Sequence, residues 1–137
     1  MRNRNIFGPA GIAYVYLSYG THNLLNVVCE PEGVGSAVLI RALRPEDGEE
    51  LMAQRRGRSR DLCNGPGRLT QALGIDLAYD GHVLTSGNLT IAEGKPPDGI
   101  VETTRIGISK GTDLPWRYLV DGDGNVSVPP KVIAGRR

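Results

Sequence analysis

Residues 12–28, Ile-Ala-Tyr-Val-Tyr-Leu-Ser-Tyr-Gly-Thr-His-Asn-Leu-Leu-Asn-Val-Val, decide the fold. The first eight are dense in β-branched and aromatic side chains and read as a strand. Gly20-Thr21 supplies a turn, and residues 22–28 read as the returning strand, so the segment predicts a hairpin with Tyr19, Gly20, Thr21 and His22 at its tip. Alternation puts Ile12, Tyr14, Tyr16 and Ser18 on one face and Ala13, Val15, Leu17 and Tyr19 on the other. Tyr14 suits core packing. Tyr19 does not, because a tyrosine beside Gly20 at a tip has little core to reach and should protrude. With a three-residue loop at 20–22, Tyr19 would pair with Asn23 and Tyr16 would lie opposite Asn26. That register sets a flat ring beside an amide able to donate and to accept hydrogen bonds.

Working outward, a turn at 30–35 leads into residues 36–43, Ser-Ala-Val-Leu-Ile-Arg-Ala-Leu. Both faces of this run are apolar except at Arg41, which predicts a central strand covered on each side. An arginine there is costly unless paired, so it either meets an internal carboxylate or faces a polar ligand pocket. Residues 45–56 fit a helix with Pro45 in its first turn and Gly57 past its end. Residues 68–73 make a short second helix after the tight connection Asn64-Gly65-Pro66-Gly67. Further along, 89–92, 103–108, 116–120 and 126–128 are short strand candidates separated by glycine, proline and aspartate. Residues 129–137 read as a tail.

Composition supports this reading. With 19 glycines and 9 prolines in 137 residues the chain is rich in turns, and neither a repeat nor a linker divides it. The expectation is α+β: a single compact domain over 1–128, with a curved, mainly antiparallel sheet and a few short helices. No apolar stretch approaches the ~20 residues of a membrane span. The N-terminal residues lack the apolar core of a signal peptide, which makes the cytoplasm the default location. Cys29 and Cys63 fit neither a disulfide framework nor a zinc site and are expected to be reduced and structural.

A formal net charge of +1 argues against a generic basic coat for nucleic acid. The charges are segregated, however. Arg55, Arg56, Arg58 and Arg60 follow directly on Glu46, Asp47, Glu49 and Glu50. This run reads either as a solvated helix matched to its own dipole or as a phosphate-binding stripe. An aromatic platform, an amide and an arginine suit a planar heteroaromatic ligand, and a protruding tip tyrosine suits insertion between stacked bases.

These pieces together carry a specific resemblance. Tyr14-Val15-Tyr16-Leu17-Ser18-Tyr19-Gly20, then Asn26-Val27-Val28, then 37–45 (Ala-Val-Leu-Ile-Arg-Ala-Leu-Arg-Pro) are similar to the alkyladenine (3-methyladenine) DNA glycosylase family. Asp61-Leu62-Cys63-Asn64-Gly65-Pro66-Gly67-Arg68-Leu69, Arg105-Ile106-Gly107-Ile108, Pro115-Trp116-Arg117-Tyr118 and Val126-Ser127-Val128 follow in matching order, so the likeness runs from Arg2-Asn3 to about Val128. It implies a base-excision DNA repair enzyme that flips alkylated or deaminated purines out of duplex DNA and hydrolyses the N-glycosidic bond.

Carried over by residue, Tyr19 resembles the side chain that wedges into the duplex, with Thr21 and His22 beside it at the minor groove. Tyr16 resembles the ring that stacks on the flipped base. Asn26 resembles the amide that discriminates against guanine. Arg41 resembles the arginine near the target sugar. The family's general base is a glutamate in a Glu-Ala-Tyr-like stretch, which is expected upstream of Met1, as is a family histidine. No catalytic residue is identified in the chain itself: His82 does not replace the upstream segment on spacing, and Glu30 and Glu32 fall in a turn. The alternative expectation is therefore a non-catalytic damaged-DNA-binding module or an inactive remnant. The resemblance also implies damaged double-stranded DNA as partner, monomeric action, no metal or organic cofactor, and a cytoplasmic, nucleoid-associated place in a prokaryote.

Overall fold

The computed structural model describes residues 4–127, in which helices and antiparallel strands form the expected α+β fold. Arg2, Asn3, Val128 and the tail at 129–137 lie outside the described residues. The chain gathers into two compact units, Met1–Glu93 and Gly94–Arg137.

In the first unit, β1 (Ala13–Ser18), β2 (His22–Val28) and β3 (Ala37–Leu39) form an antiparallel sheet in the order β1-β2-β3. The hairpin is the expected one, with β2 running over the expected residues. Its register differs. Tyr14 pairs with Asn26, Tyr16 with Leu24 and Ser18 with His22, so the loop is Tyr19-Gly20-Thr21 and Tyr16 is not opposite Asn26. The reason lies in the backbone. Tyr19 and Gly20 both take positive φ, 52° and 69°, and the Thr21 N–H donates to the Ser18 carbonyl at 3.1 Å. Two such residues make a turn of type I′ character, whose twist matches that of the strands.

The expected central strand at 36–43 is instead a three-residue edge strand, and Val38 is 54% exposed. An apolar run reads as central wherever both its faces look apolar, but only one neighbour, β2, pairs with it here. The ladder continues one step further through the Ile40 N–H to the Leu25 carbonyl, at 3.0 Å.

Two helices follow, α1 (Glu49–Arg56) and α2 (Pro66–Leu73). Helix α1 starts four residues later than Pro45 because Gly48 takes φ 78°, a left-handed conformation that cannot continue a helix. Glu49 and Glu50 occupy its first turn and Arg55 and Arg56 its last, each set matching the dipole. Helix α2 begins at Pro66, whose missing N–H is no loss at that position. It packs against β2, and the Thr70 hydroxyl donates to the Asn23 carbonyl at 2.7 Å.

One face of the sheet supplies the main core, in which Ala13, Val15 and Leu25 are buried with Ile75 and Leu84. A second cluster joins the helices through Met52, Leu62, Cys63, Leu69 and Ala72. Fully burying one such aliphatic side chain contributes about 1.5–3 kcal/mol. Cys63 is buried within 3.9 Å of the Met52 sulfur, and burial pushes its thiol above the ordinary value, with Arg56 opposing the shift. Cys29 is exposed rather than built into the core.

In the second unit β4 (Ile100–Thr103) pairs antiparallel with β5 (Arg117–Val120). Strand β4 lies earlier than the expected 103–108, and 89–92 is not a strand. Residues 126–127 are also non-strand. Arg105 lies 5.3 Å over the Trp116 ring in a cation–π contact. Among the described residues no helix is long and apolar enough to cross a membrane.

Candidate functional site

The sheet sorts its side chains in a way the single hairpin could not. Residues paired across an antiparallel ladder share a face, and so do residues two apart on a strand. Val15 and Leu25 therefore point together into the core against which α2 packs. Tyr14, Tyr16, Leu24, Asn26 and Leu39 share the opposite face. Tyr16 and Asn26 thus stand on one face of the three-stranded sheet, away from the main core. Arg41 lies two residues past the last ladder pair, Asn26–Leu39, and one past the Ile40–Leu25 hydrogen bond.

Their environments differ. The Tyr14 and Tyr16 rings are 5.2 Å apart and tilted by 32°, Tyr14 buried and Tyr16 half-buried. This pair heads a small cluster with Ile12 and Val28, which fixes the position of the Tyr16 ring. Asn26 is buried, and its amide nitrogen donates to the Tyr14 carbonyl at 3.2 Å. One donor of the amide is thereby committed to the partner strand. Arg41 is half-buried and lies past the end of β3, not inside a covered strand.

At the hairpin end, Tyr19 is 97% exposed. A bulky residue in the left-handed region is strained, and a type I′ tip ordinarily recruits asparagine or glycine there. Thr21 and His22 are also exposed. His22 leans on the first turn of α2: a Cβ on Gly67 would meet its ring at 2.9 Å, so only glycine allows that approach. Helix and tip are therefore held together from two sides, by the His22–Gly67 contact and by the Thr70–Asn23 hydrogen bond.

An open depression of about 600 Å³ flanks the tip, lined by Val15, Tyr16, Leu17, Tyr19, Gly20, Leu77 and Asp80. It brings Tyr16 and Tyr19 together, but not Asn26 or Arg41. Asp80 is the lining residue that sequence reasoning missed. One of its carboxylate oxygens accepts the Val15 N–H and the other accepts the Asn5 amide, both at 2.9 Å. The backbone of 81–82 pairs with Ala13 on the outer edge of β1, and Asp80 extends that pairing by one side-chain acceptor. With both oxygens engaged it braces the strand beneath Tyr16. Nothing in the sequence signals a contact across 65 positions.

Among the described residues no group of three or more His, Cys, Asp or Glu could hold a metal ion. The chain matches the Methylpurine-DNA glycosylase (MPG) family over residues 1–124. The chain belongs to the methylpurine-DNA glycosylase family. A protein of Rubrobacter xylanophilus named "Putative 3-methyladenine DNA glycosylase" is 66% identical over 99% of this chain and 72% of its own length. Proteins with the same name from Rhodopseudomonas palustris strain HaA2 and Methanoculleus marisnigri are 52% and 50% identical, over 95% and 92% of this chain. The chain spans 66% and 69% of those two relatives. In this glycosylase-family chain the tip tyrosine and the sheet-face tyrosine open on one depression, while the Asn26 amide is buried on the sheet face that Tyr16 shares.

Proposed function

We propose that this chain recognises damaged purines in duplex DNA, with Tyr19 as the wedge, Tyr16 as the stacking platform, Asn26 as the discriminating amide and Arg41 beside the target sugar, in a reaction that hydrolyses the N-glycosidic bond. The observation that carries the reading is Tyr19, a large ring almost wholly in solvent on a strained turn. An aromatic in such a place is disfavoured for folding, and a duplex opened by extrusion of one nucleotide offers it a stacking partner. Extrusion costs a few kcal/mol of unstacking, and base–aromatic stacking of about 1–3 kcal/mol offsets part of it.

The electron-rich face of Tyr16 attracts a cationic alkylated purine more than a neutral one. In the hydrolysis water adds its oxygen to the sugar's anomeric carbon, the bond's electron pair leaves with the purine, and the water sheds a proton. A cationic purine accepts that pair and departs neutral. Tyrosine, asparagine and arginine are no acceptors for the water's proton at neutral pH, so its acceptor is a further group.

Single-turnover reactions of the full chain with duplexes carrying hypoxanthine or ethenoadenine test the reading. Release of free base in the presence of excess protein is the expected result. Binding that favours the lesion duplex without base release removes the hydrolysis and leaves recognition. Equal affinity for damaged and undamaged duplexes overturns the proposal.

A further inference from the structure

Tyr14 touches two of the residues that the recognition reading assigns to the base, and it does so with two different parts of itself. Its ring centroid lies 5.2 Å from that of Tyr16, with the planes tilted by 32°. That separation is within the range in which offset aromatic pairs attract. Its backbone carbonyl accepts the Asn26 amide at 3.2 Å. Tyr14 stands directly opposite Asn26 in the ladder, and Tyr16 is the next residue on the same face of β1, so the register sets up both contacts.

The Tyr14 ring is fixed on its other sides. It is 8% exposed and is buried with Ile12 and Val28, against which Ile6, Tyr16 and Ala37 pack. The 3-10 turn Arg4–Phe7 brings Ile6 to this cluster and packs on both β1 and β2. Two glycines make room for it. A Cβ on Gly8 would lie 2.6 Å from the Ile12 Cδ1, and one on Gly35 would lie 2.5 Å from the Phe7 ring. Tyr16, by contrast, is half-buried, and it lines the open depression where Tyr14 does not. Tyr14 therefore bears on a ligand only through its neighbours.

We propose that Tyr14 is the positioning residue of the base site: its buried ring holds the Tyr16 ring as a preformed platform, and its carbonyl holds the Asn26 amide on the same face. This rests on the recognition reading above, in which Tyr16 stacks on the extruded base. A ring already held in its bound orientation has no rotational freedom left to lose when the base arrives, which is worth on the order of two- to tenfold in affinity. Changing the side chain removes the ring contact and leaves the bond to Asn26, because that carbonyl belongs to the backbone.

The test is the preference of the full chain for a duplex bearing one ethenoadenine over the same duplex undamaged, measured by fluorescence anisotropy. Tyr14→Leu and Tyr14→Met fill the cluster without a ring, and Tyr14→Phe keeps the ring. Each ringless change is also combined with Tyr16→Ala. The ratio of the two affinities is the readout, because a smaller folded fraction weakens both by the same factor. Leucine and methionine at 14 are expected to lower the preference about two- to tenfold, and phenylalanine to restore it. In the Tyr16→Ala background neither ringless change should lower it further, since residues that act through one another do not add. A preference that survives both leucine and methionine, or that falls equally with and without the Tyr16 ring, overturns the positioning role and leaves the recognition reading in place. A parent chain with no preference overturns both.

Discussion

The two ends of one hairpin do opposite work. At its root Ala13, Val15 and Val28 are 0–1% exposed and Leu25 is 5% exposed. At its tip, a few residues away, Tyr19 is 97% exposed on a backbone in the left-handed region. The strands are the same and so is the ladder of hydrogen bonds; what changes is whether a neighbouring layer exists to receive the side chains. Ile75, Leu84 and α2 cover Ala13, Val15 and Leu25, whereas at the tip α2 touches only His22 and Asn23 among the described contacts and leaves the Tyr19 ring in solvent. The root sets stability, and the tip holds a ring in solvent on a strained backbone.

The largest effect should come from breaking the root. Leu25→Ala removes a buried side chain from the main core and is expected to cost about 2–5 kcal/mol, read as a lower midpoint in urea unfolding. A change below 0.5 kcal/mol would mean the root is no better anchored than the tip. Next comes the brace at the outer edge. Asp80→Ala strips the acceptor from the Val15 N–H and the Asn5 amide, and should cost about 1–3 kcal/mol where the Val15 amide cannot find water. Stability unchanged by that substitution would take Asp80 out of the scaffold and return it to the list of groups that face a ligand.

At the tip the expected pattern reverses. Tyr19→Ala should leave urea unfolding within about 0.5 kcal/mol of the parent, because the lost ring buries almost nothing. It should weaken binding to a lesion duplex by about 1–3 kcal/mol through lost stacking. Lesion binding that is insensitive to the change would sink the wedge and with it the contrast between the two ends.

The sequence made the root more legible than the tip's geometry. The density of β-branched and aromatic residues located β1, the Gly20-Thr21 turn placed β2 after it, and the short reach of Tyr19 from any core was enough to predict its exposure. The register expected from a turn at 20–22 differs from the actual one because Tyr19 itself enters the loop with positive φ, a conformation that a tyrosine rarely adopts. The edge position of β3 was missed for another reason. Its Val-Leu-Ile run carries the composition of a central strand, and whether a second neighbour exists is a property of the whole chain. The bonds that join Asp61 to Asn64 and Asn64 to Arg68, like the Asp80 brace, are directed hydrogen bonds that no periodicity encodes. For the arginine run, the structure bears on one of the two readings open at the level of sequence, the helix matched to its own dipole. Arg55 and Arg56 complete a helix end, and Arg58 and Arg60 project outward.

The smallest effect is the most discriminating. Tyr19→Asn puts at φ 52° a residue that tolerates the left-handed region, so the folded state should gain up to about 1 kcal/mol, since that conformation costs most side chains about 1–2 kcal/mol. Asparagine has no ring to stack, so lesion binding should fall as far as it does for alanine. Stability and recognition would then move in opposite directions at a single position, as expected where a strained residue is kept for what it touches in the complex. If asparagine instead destabilised the fold, the tyrosine ring would be contributing to the native state in isolation. The exposed tip would then have to be counted as part of the scaffold that the root supports.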